Sequence, residues 1–153
     1  MKNTTGRPRI SWDQYGLLLA RTVATRSEDP YVQVGCVGFR QDHSIVGTGY
    51  NGAPTGVEID WSDRDKRRSQ VVHAEANLLK YSQPGEIYYL YCTLLPCSGC
   101  FEKLQKHGVR EIIYEDVYER DSSTLDSSPT WGIVCRQFKL WPPKRVQSVN
   151  VKK

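Results

Sequence analysis

Two short clusters, His73-Ala74-Glu75 and Pro96-Cys97-Ser98-Gly99-Cys100, constrain this chain more than any other feature. Any fold it adopts has to carry both to one point, because one imidazole and two thiolates form the three-ligand set of a catalytic zinc whose fourth tetrahedral position stays open for water. The alternatives are a structural zinc knot, or a Cys-x-x-Cys redox pair with an unrelated histidine. A structural site usually closes with a fourth protein ligand, and the chain has no second Cys-x-x-Cys or His pair to supply it. Glu75 sits two residues from a ligand without being needed as one. Zinc lowers the pKa of bound water from ~15.7 to roughly 7, and a nearby carboxylate can take the proton and hand it on. Open-position metal chemistry is therefore the first expectation.

Local patterns agree. Val72 through Tyr81 reads as the start of a helix, and a second helix begins near Cys97 and runs through Phe101 and Leu104 to a stop at Gly108. Both ligand groups then stand at helix N-termini, where partial positive charge lowers a thiolate pKa and favours an anionic oxygen on the metal.

With 153 residues the chain is one domain, large enough to bury a core. We expect an arm over residues 1–10, a zinc domain over 11–141 and a flexible tail over 142–153. No apolar run approaches the roughly 20 residues of a membrane helix, and the polar start has no signal-peptide core, which points to the cytoplasm. Of the five cysteines, the three outside the zinc set, Cys36, Cys92 and Cys135, lie in strand-like segments. They read as core residues of a protein in a reducing compartment. The net charge of +4 is mild, and its densest cluster, Arg64 to Arg68, is interrupted by Asp65 and preceded by Asp63. That run reads as a solvated loop, and nucleic acid is not an expected partner.

Taken in order, Ser11 caps a helix to about Thr25 whose stripe of Trp12, Tyr15, Leu18, Leu19 and Thr22 or Val23 faces the core. Pro30 ends the turn after it. Val32 to Phe39 and Ser44 to Tyr50 form a hairpin about Gln41-Asp42-His43, with His43 a plain turn residue. The glycine-rich loop Gly49-Tyr50-Asn51-Gly52-Ala53-Pro54 lets backbone approach a ligand, and Asn51 offers both a donor and an acceptor. Residues 57–70 show no strong period and read as an insertion. Glu86 to Thr93 is aromatic on both faces and reads as a central strand; Val109 to Tyr114 is the next. Ser122 to Thr130 contains Pro129, so only a short or broken helix fits before a last strand at Ile133 to Phe138. These elements give a mixed sheet with helices on both faces and a site at strand carboxyl ends.

His-x-Glu followed by Pro-Cys-x-x-Cys is the known signature of zinc nucleobase deaminases. Together with Gly49-Tyr50-Asn51-Gly52-x-Pro54, Arg26-Ser27-x-Asp29-Pro30 and Val34-Gly35, it makes the chain resemble the deoxycytidylate (dCMP) deaminases of the cytidine deaminase superfamily, from about Ser11 to Tyr118. The resemblance implies an α/β fold, a three-layer α/β/α with a central mixed five-stranded sheet, and hydrolysis of dCMP to dUMP and ammonia. By the same resemblance His73, Cys97 and Cys100 hold Zn2+, Glu75 shuttles protons, and the Ala74 N–H meets the base carbonyl. Asn51 bonds the deoxyribose, Arg26 is a candidate for the phosphate, and Tyr118 covers the base. The family also implies a homo-oligomer, a hexamer, switched on by dCTP with Mg2+ and off by dTTP, with Gly49, Tyr50, Asn51 and Gly52 at the effector. Two departures stand out: no Cys or His in 57–70 for an extra zinc, and a Ser/Pro-rich stretch where the family has a well-formed helix.

Two other readings compete. A tRNA-type base deaminase shares the zinc motif, but typically has Asn followed by Arg-Pro and needs a basic footprint that only Arg64 to Arg68 offers. A non-catalytic nucleotide-binding regulator would have no use for Glu75.

Overall fold

The computed structural model describes residues 6–118 and 122–140. The expected tail, the domain boundary at Trp141 and the first five residues of the arm lie outside the described residues.

Helix α1 (Trp12–Ala24) starts at a complete capping box. The Ser11 hydroxyl accepts from the Gln14 N–H at 3.1 Å and the Gln14 side chain accepts from the Ser11 N–H at 2.9 Å. Its most buried residues are Gly16, Leu17, Ala20 and Ala24, and Tyr15, Leu18, Leu19 and Val23 of the expected stripe pack against the same core, while Trp12 remains half exposed. Small residues set the closest approach. A Cβ on Gly16 would stand 2.5 Å from the Tyr91 ring, so the helix approaches the sheet along residues that carry little hydrophobic signal.

The sheet has the order β2-β1-β3-β4-β5, with β1 (Gly35–Phe39), β2 (Ile45–Tyr50), β3 (Tyr89–Leu94), β4 (Glu111–Asp116) and β5 (Val134–Gln137). Strand β1 runs antiparallel to both neighbours, while β3, β4 and β5 are parallel to one another. It is the expected mixed five-stranded sheet with β3 at its centre. Alternation sorts the interior into two layers. Cys36, Leu90, Cys92 and Ile112 face one side, and Val37, Phe39, Tyr91 and Ile113 face α1 on the other. Helices α3 (Ala74–Leu79) and α4 (Ser98–Lys106) cover the first side. Cys36 and Cys92 are fully buried and all five cysteines are free thiols, as expected.

One segment differs from expectation and another bears it out as a short helix. The insertion contains a helix, α2 (Arg64–Gln70), opened by Asp63, whose carboxylate accepts from the Asp65 and Lys66 N–H groups. It buries no residue of its own, so hydrophobic periodicity could not announce it. The serine-rich stretch forms one unbroken nine-residue helix, α5 (Ser123–Trp131), closed by Gly132 at φ 76°. Pro129 lacks the N–H that would reach the Leu125 carbonyl, and the Ser128 hydroxyl donates to that carbonyl instead, at 3.2 Å. The departure expected from the family pattern is thereby removed. No helix among the described residues is long and apolar enough to cross a membrane.

Candidate active site

The site lies at the carboxyl ends of the strands, as the fold class predicts. Strand β3 ends at Leu94 and hands the chain through Pro96 to Cys97, the N-cap of α4; His73 is the N-cap of α3. Neither cap uses its side chain on its own helix, so imidazole and thiol are free to face each other. The His73 Nδ1 is 3.3 Å from the Cys100 Sγ and 3.6 Å from the Cys97 Sγ, and all three ligand atoms fall within 4.8 Å of one another.

These separations fit zinc. Tetrahedral bonds of ~2.1 Å to nitrogen and ~2.3 Å to sulfur place N and S ~3.6 Å apart. The groups already share protons. Hydrogen bonds from Cys100 and then His73 outweigh burial and pull the Cys97 thiol down to about 3. Cys100, donating to that thiolate and partly buried, is pushed well up, and the same thiolate raises His73. One cation can replace the shared protons among three soft or borderline donors.

Glu75, in the first turn of α3, is 4% exposed. Burial pushes its carboxyl above the ordinary carboxylate range, against the pull of its own backbone N–H and of His73. Behind it the Cys92 Sγ lies 3.9 Å from Oε2, and burial drives that thiol well up as well. Glu75 therefore has a buried back, where the Cys92 thiol donates to it, and one open side, an arrangement that suits a proton carrier.

That open side faces a cavity of about 790 Å³, whose lining includes His73, Ala74, Glu75, Cys97, Asn51, Asp29 and Tyr118. The size falls within the range of small-molecule and cofactor sites. Asn51 is largely committed to the scaffold. Its Oδ1 accepts from the Val34 N–H at 2.8 Å, and its Nδ2 donates to the Val32 carbonyl at 3.0 Å and to Asp29 at 3.4 Å. One lone pair on Oδ1 remains for a sugar hydroxyl. Tyr118, 53% exposed, stands at the mouth. Arg26 lies outside the lining, its guanidinium 5.9 Å over the Tyr50 ring. Gly49, Tyr50 and Gly52 are likewise outside it. Gly49 serves packing: a Cβ there would meet the Ala74 carbonyl oxygen at 2.3 Å.

The profile of the family described as "Cytidine and deoxycytidylate deaminase zinc-binding region" matches residues 10–116. The chain belongs to that family. It is 31% identical over 151 residues to a deoxycytidylate deaminase of Saccharomyces cerevisiae, across 90% of this chain and 48% of that one. To human deoxycytidylate deaminase it is 30% identical, over 88% of this chain and 82% of that one. This family member thus spans about half the length of its yeast relative. Its fold matches the crystal structure of dCMP deaminase from the cyanophage S-TIM5 in complex with dCMP and dUMP, with a TM-score of 0.68 at 25% identity, over 80% of this chain and 93% of that one.

The structure adds to this deaminase-family site several residues that sequence reasoning missed. Arg64, Arg67 and Arg68 of the insertion line the cavity, as do Val71 just after it and Tyr31, on which Arg67 stacks. The run read as a solvated loop is instead one wall of the site. Its signal was present as a helical spacing of 64, 67 and 68 after the Asp63 cap, carried by charge and not by apolar residues. Thr124 of α5 is also missing from the sequence reading. It is buried and donates to the Pro96 carbonyl at 2.9 Å, holding the turn that presents Cys97.

Proposed function

We propose that this protein hydrolyses dCMP to dUMP and ammonia, with zinc held by His73, Cys97 and Cys100 and with Glu75 moving the protons. The observation that carries the reading is the convergence of those three ligand atoms beside a buried carboxylate, on one wall of a cavity sized for a small molecule or cofactor. Zinc, when bound, supplies a Lewis acid that brings water to ionisation near neutral pH. As the water oxygen bonds to C4 of the cytosine ring, Glu75 receives one of its protons and delivers it to N3. The same carboxylate then carries the second proton from that oxygen to the amino nitrogen, so that the C4–N bond breaks, ammonia leaves and the oxygen remains as the uracil carbonyl. The Ala74 N–H, in the first turn of α3 where backbone donors lack partners inside the helix, is placed to hold the base carbonyl. Asn51 takes the deoxyribose hydroxyl on its remaining lone pair, and Tyr118 covers the base. Substrate identity draws support from the relatives named deoxycytidylate deaminase and from the phage enzyme whose complex contains dCMP and dUMP.

The proposal extends to regulation and setting. Activation by dCTP with Mg2+ and inhibition by dTTP would act at Gly49-Tyr50-Asn51-Gly52, beside which Arg26 supplies a cation. Assembly as a hexamer and a cytoplasmic location belong to the same reading, the latter supported by five free thiols.

Steady-state ultraviolet assays of zinc-loaded protein on dCMP, cytidine and dCTP, each with and without dCTP-Mg2+ or dTTP, test it. Preference for dCMP with dCTP activation is expected. Failure to turn over any free nucleotide in every effector condition sinks the reading and turns attention to RNA substrates.

A further inference from the structure

We propose that helix α2 recognises the 5′-phosphate, with Arg67 as the direct clamp and Arg64 and Arg68 as flanking cations, so that the insertion makes this a nucleotide site and not a nucleoside site. The inference rests on the nucleotide-deaminase reading above and assigns the anion-binding half of the same cavity.

Four observations converge on it. The residues of α2 that line the cavity are Arg64, Arg67 and Arg68, followed by Val71, one face at helical spacing; Asp65, Lys66, Ser69 and Gln70 are not in the lining. The helix is therefore oriented with its arginines inward. Second, the Arg67 Nε is buried and, among the described residues, has no hydrogen-bond partner. A guanidinium donor withdrawn from water and left unpaired marks the place of an acceptor. Third, among the described residues no ion pair involves Arg64, Arg67 or Arg68. Of the two acids in the same lining, Glu75 stands beside His73 and the thiols, and Asp29 is committed elsewhere: Oδ1 accepts from the Tyr31 and Val32 N–H groups at 2.8 and 3.2 Å, and Oδ2 from Asn51. Among the described residues the arginine wall thus carries positive charge without an ion-paired partner.

Fourth, Arg67 is held in place. Its guanidinium stacks 4.0 Å from the centroid of the Tyr31 ring, and the Tyr31 backbone is fixed by Asp29. Stacking orients a planar fork while leaving its edge for two parallel bonds to a phosphate, a geometry that lysine cannot offer. The insertion is anchored at its ends by the paired Gly52 and Val72 backbones, whose two bonds measure 3.1 and 2.8 Å. The arginine wall accordingly has a defined distance from His73, the residue next after Val72. Arg26, over Tyr50 and outside the lining, is left to other work.

The test measures kcat and KM for dCMP and for deoxycytidine on zinc-loaded wild type, Arg67→Ala, Arg67→Lys and the Arg64→Ala/Arg68→Ala double variant, with calorimetric binding of both ligands in parallel. Arg67→Ala is expected to lower kcat/KM for dCMP by roughly 10- to 100-fold, mainly through KM, and to change deoxycytidine by less than about threefold. Arg67→Lys should recover part of the loss, since charge returns without the fork. The double variant should weaken dCMP less and flatten its salt dependence. An equal loss for both ligands would make the Arg67–Tyr31 contact merely structural and overturn the proposal. Unchanged dCMP binding in both alanine variants would overturn it too. Wild type that binds dCMP through Arg67 but never deaminates it leaves the clamp standing and removes the proposed reaction instead.

Discussion

Glu75 combines proximity to the ligands with a buried back against Cys92, and each feature has its own consequence. Its proposed role as proton carrier requires an ionisable oxygen, whereas the proposed zinc site needs only His73, Cys97 and Cys100. Glu75→Gln should therefore retain one equivalent of zinc by metal analysis while dCMP turnover drops at least ~100-fold, within the range assigned to positioned acid–base groups. Persistent turnover in a zinc-loaded Gln variant would remove Glu75 from the mechanism. Thr124 works at one remove. Its hydroxyl pairs the Pro96 carbonyl in a setting where the residue is 1% exposed. Thr124→Val keeps the volume and orphans the carbonyl, which should cost ~1–3 kcal/mol in urea unfolding. Thr124→Ser, which keeps the hydroxyl, should recover the pairing, and its unfolding midpoint should lie nearer wild type.

Helix α3 bears two of the four chemical residues, His73 as its cap and Glu75 in its first turn, and its six residues contribute little stability alone. It is held by contact with β2, where Gly49 allows the Ala74 carbonyl and Leu78 to lie against the strand. Asn77 adds a bond from Nδ2 to the Tyr50 carbonyl at 2.8 Å. Gly49→Ala puts a methyl 2.3 Å from a carbonyl oxygen, so the helix has to move. Overpacking of this kind costs ~1–3 kcal/mol, and the displacement carries His73 and Glu75 with it. Both a lower urea midpoint and weaker zinc retention against a chelator are expected. Loss of stability with zinc affinity unchanged would show that the site tolerates a shift of α3.

Across the molecule, one polar network joins α1 to three strands. Arg136 of β5 donates to Asp13 at 3.0 and 3.2 Å and to Glu111 of β4 at 2.6 Å, and the Tyr91 hydroxyl of β3 donates to Asp13 at 3.0 Å. Burial alone would raise the Asp13 carboxyl, but the bonds from Arg136 and Tyr91 outweigh it and hold it below its ordinary value of 3.8. A carboxylate depressed on folding contributes stability above its unfolded pKa and loses it as pH falls through the folded one. Asp13→Asn should thus lower stability at neutral pH, by roughly 0.5–1 kcal/mol for so exposed a group, and the gap from wild type should close below about pH 4 in acid titrations. A gap that widened in acid would contradict the assigned direction. Zinc acts on the same scale, since its ligands come from the starts of two helices. Chelation should lower the thermal midpoint by several degrees and added zinc should restore it, because an ion bound only by the folded state stabilises it.

The amino-acid order alone determined the chemistry. His-x-Glu and Cys-x-x-Cys are spacings within one helical turn, so His73, Glu75, Cys97 and Cys100 were legible before any long-range contact was known, and so were the strands, whose alternation is likewise local. What it could not yield is anything carried by polar or small residues. Helix α2 buries none of its own residues, and α5 buries Thr124 and Ser128 through their hydroxyls. Hydrophobic periodicity reports only apolar burial, and these elements use little of it. The choice between arginines belongs wholly to the tertiary structure. Arg26 and Arg67 are equal as letters, but the end of α1 places one over Tyr50 while the Gly52–Val72 anchor turns the other into the cavity. A charge acquires a role from where the chain's distant segments bring it, and that position is set by packing between elements, not by neighbours in sequence.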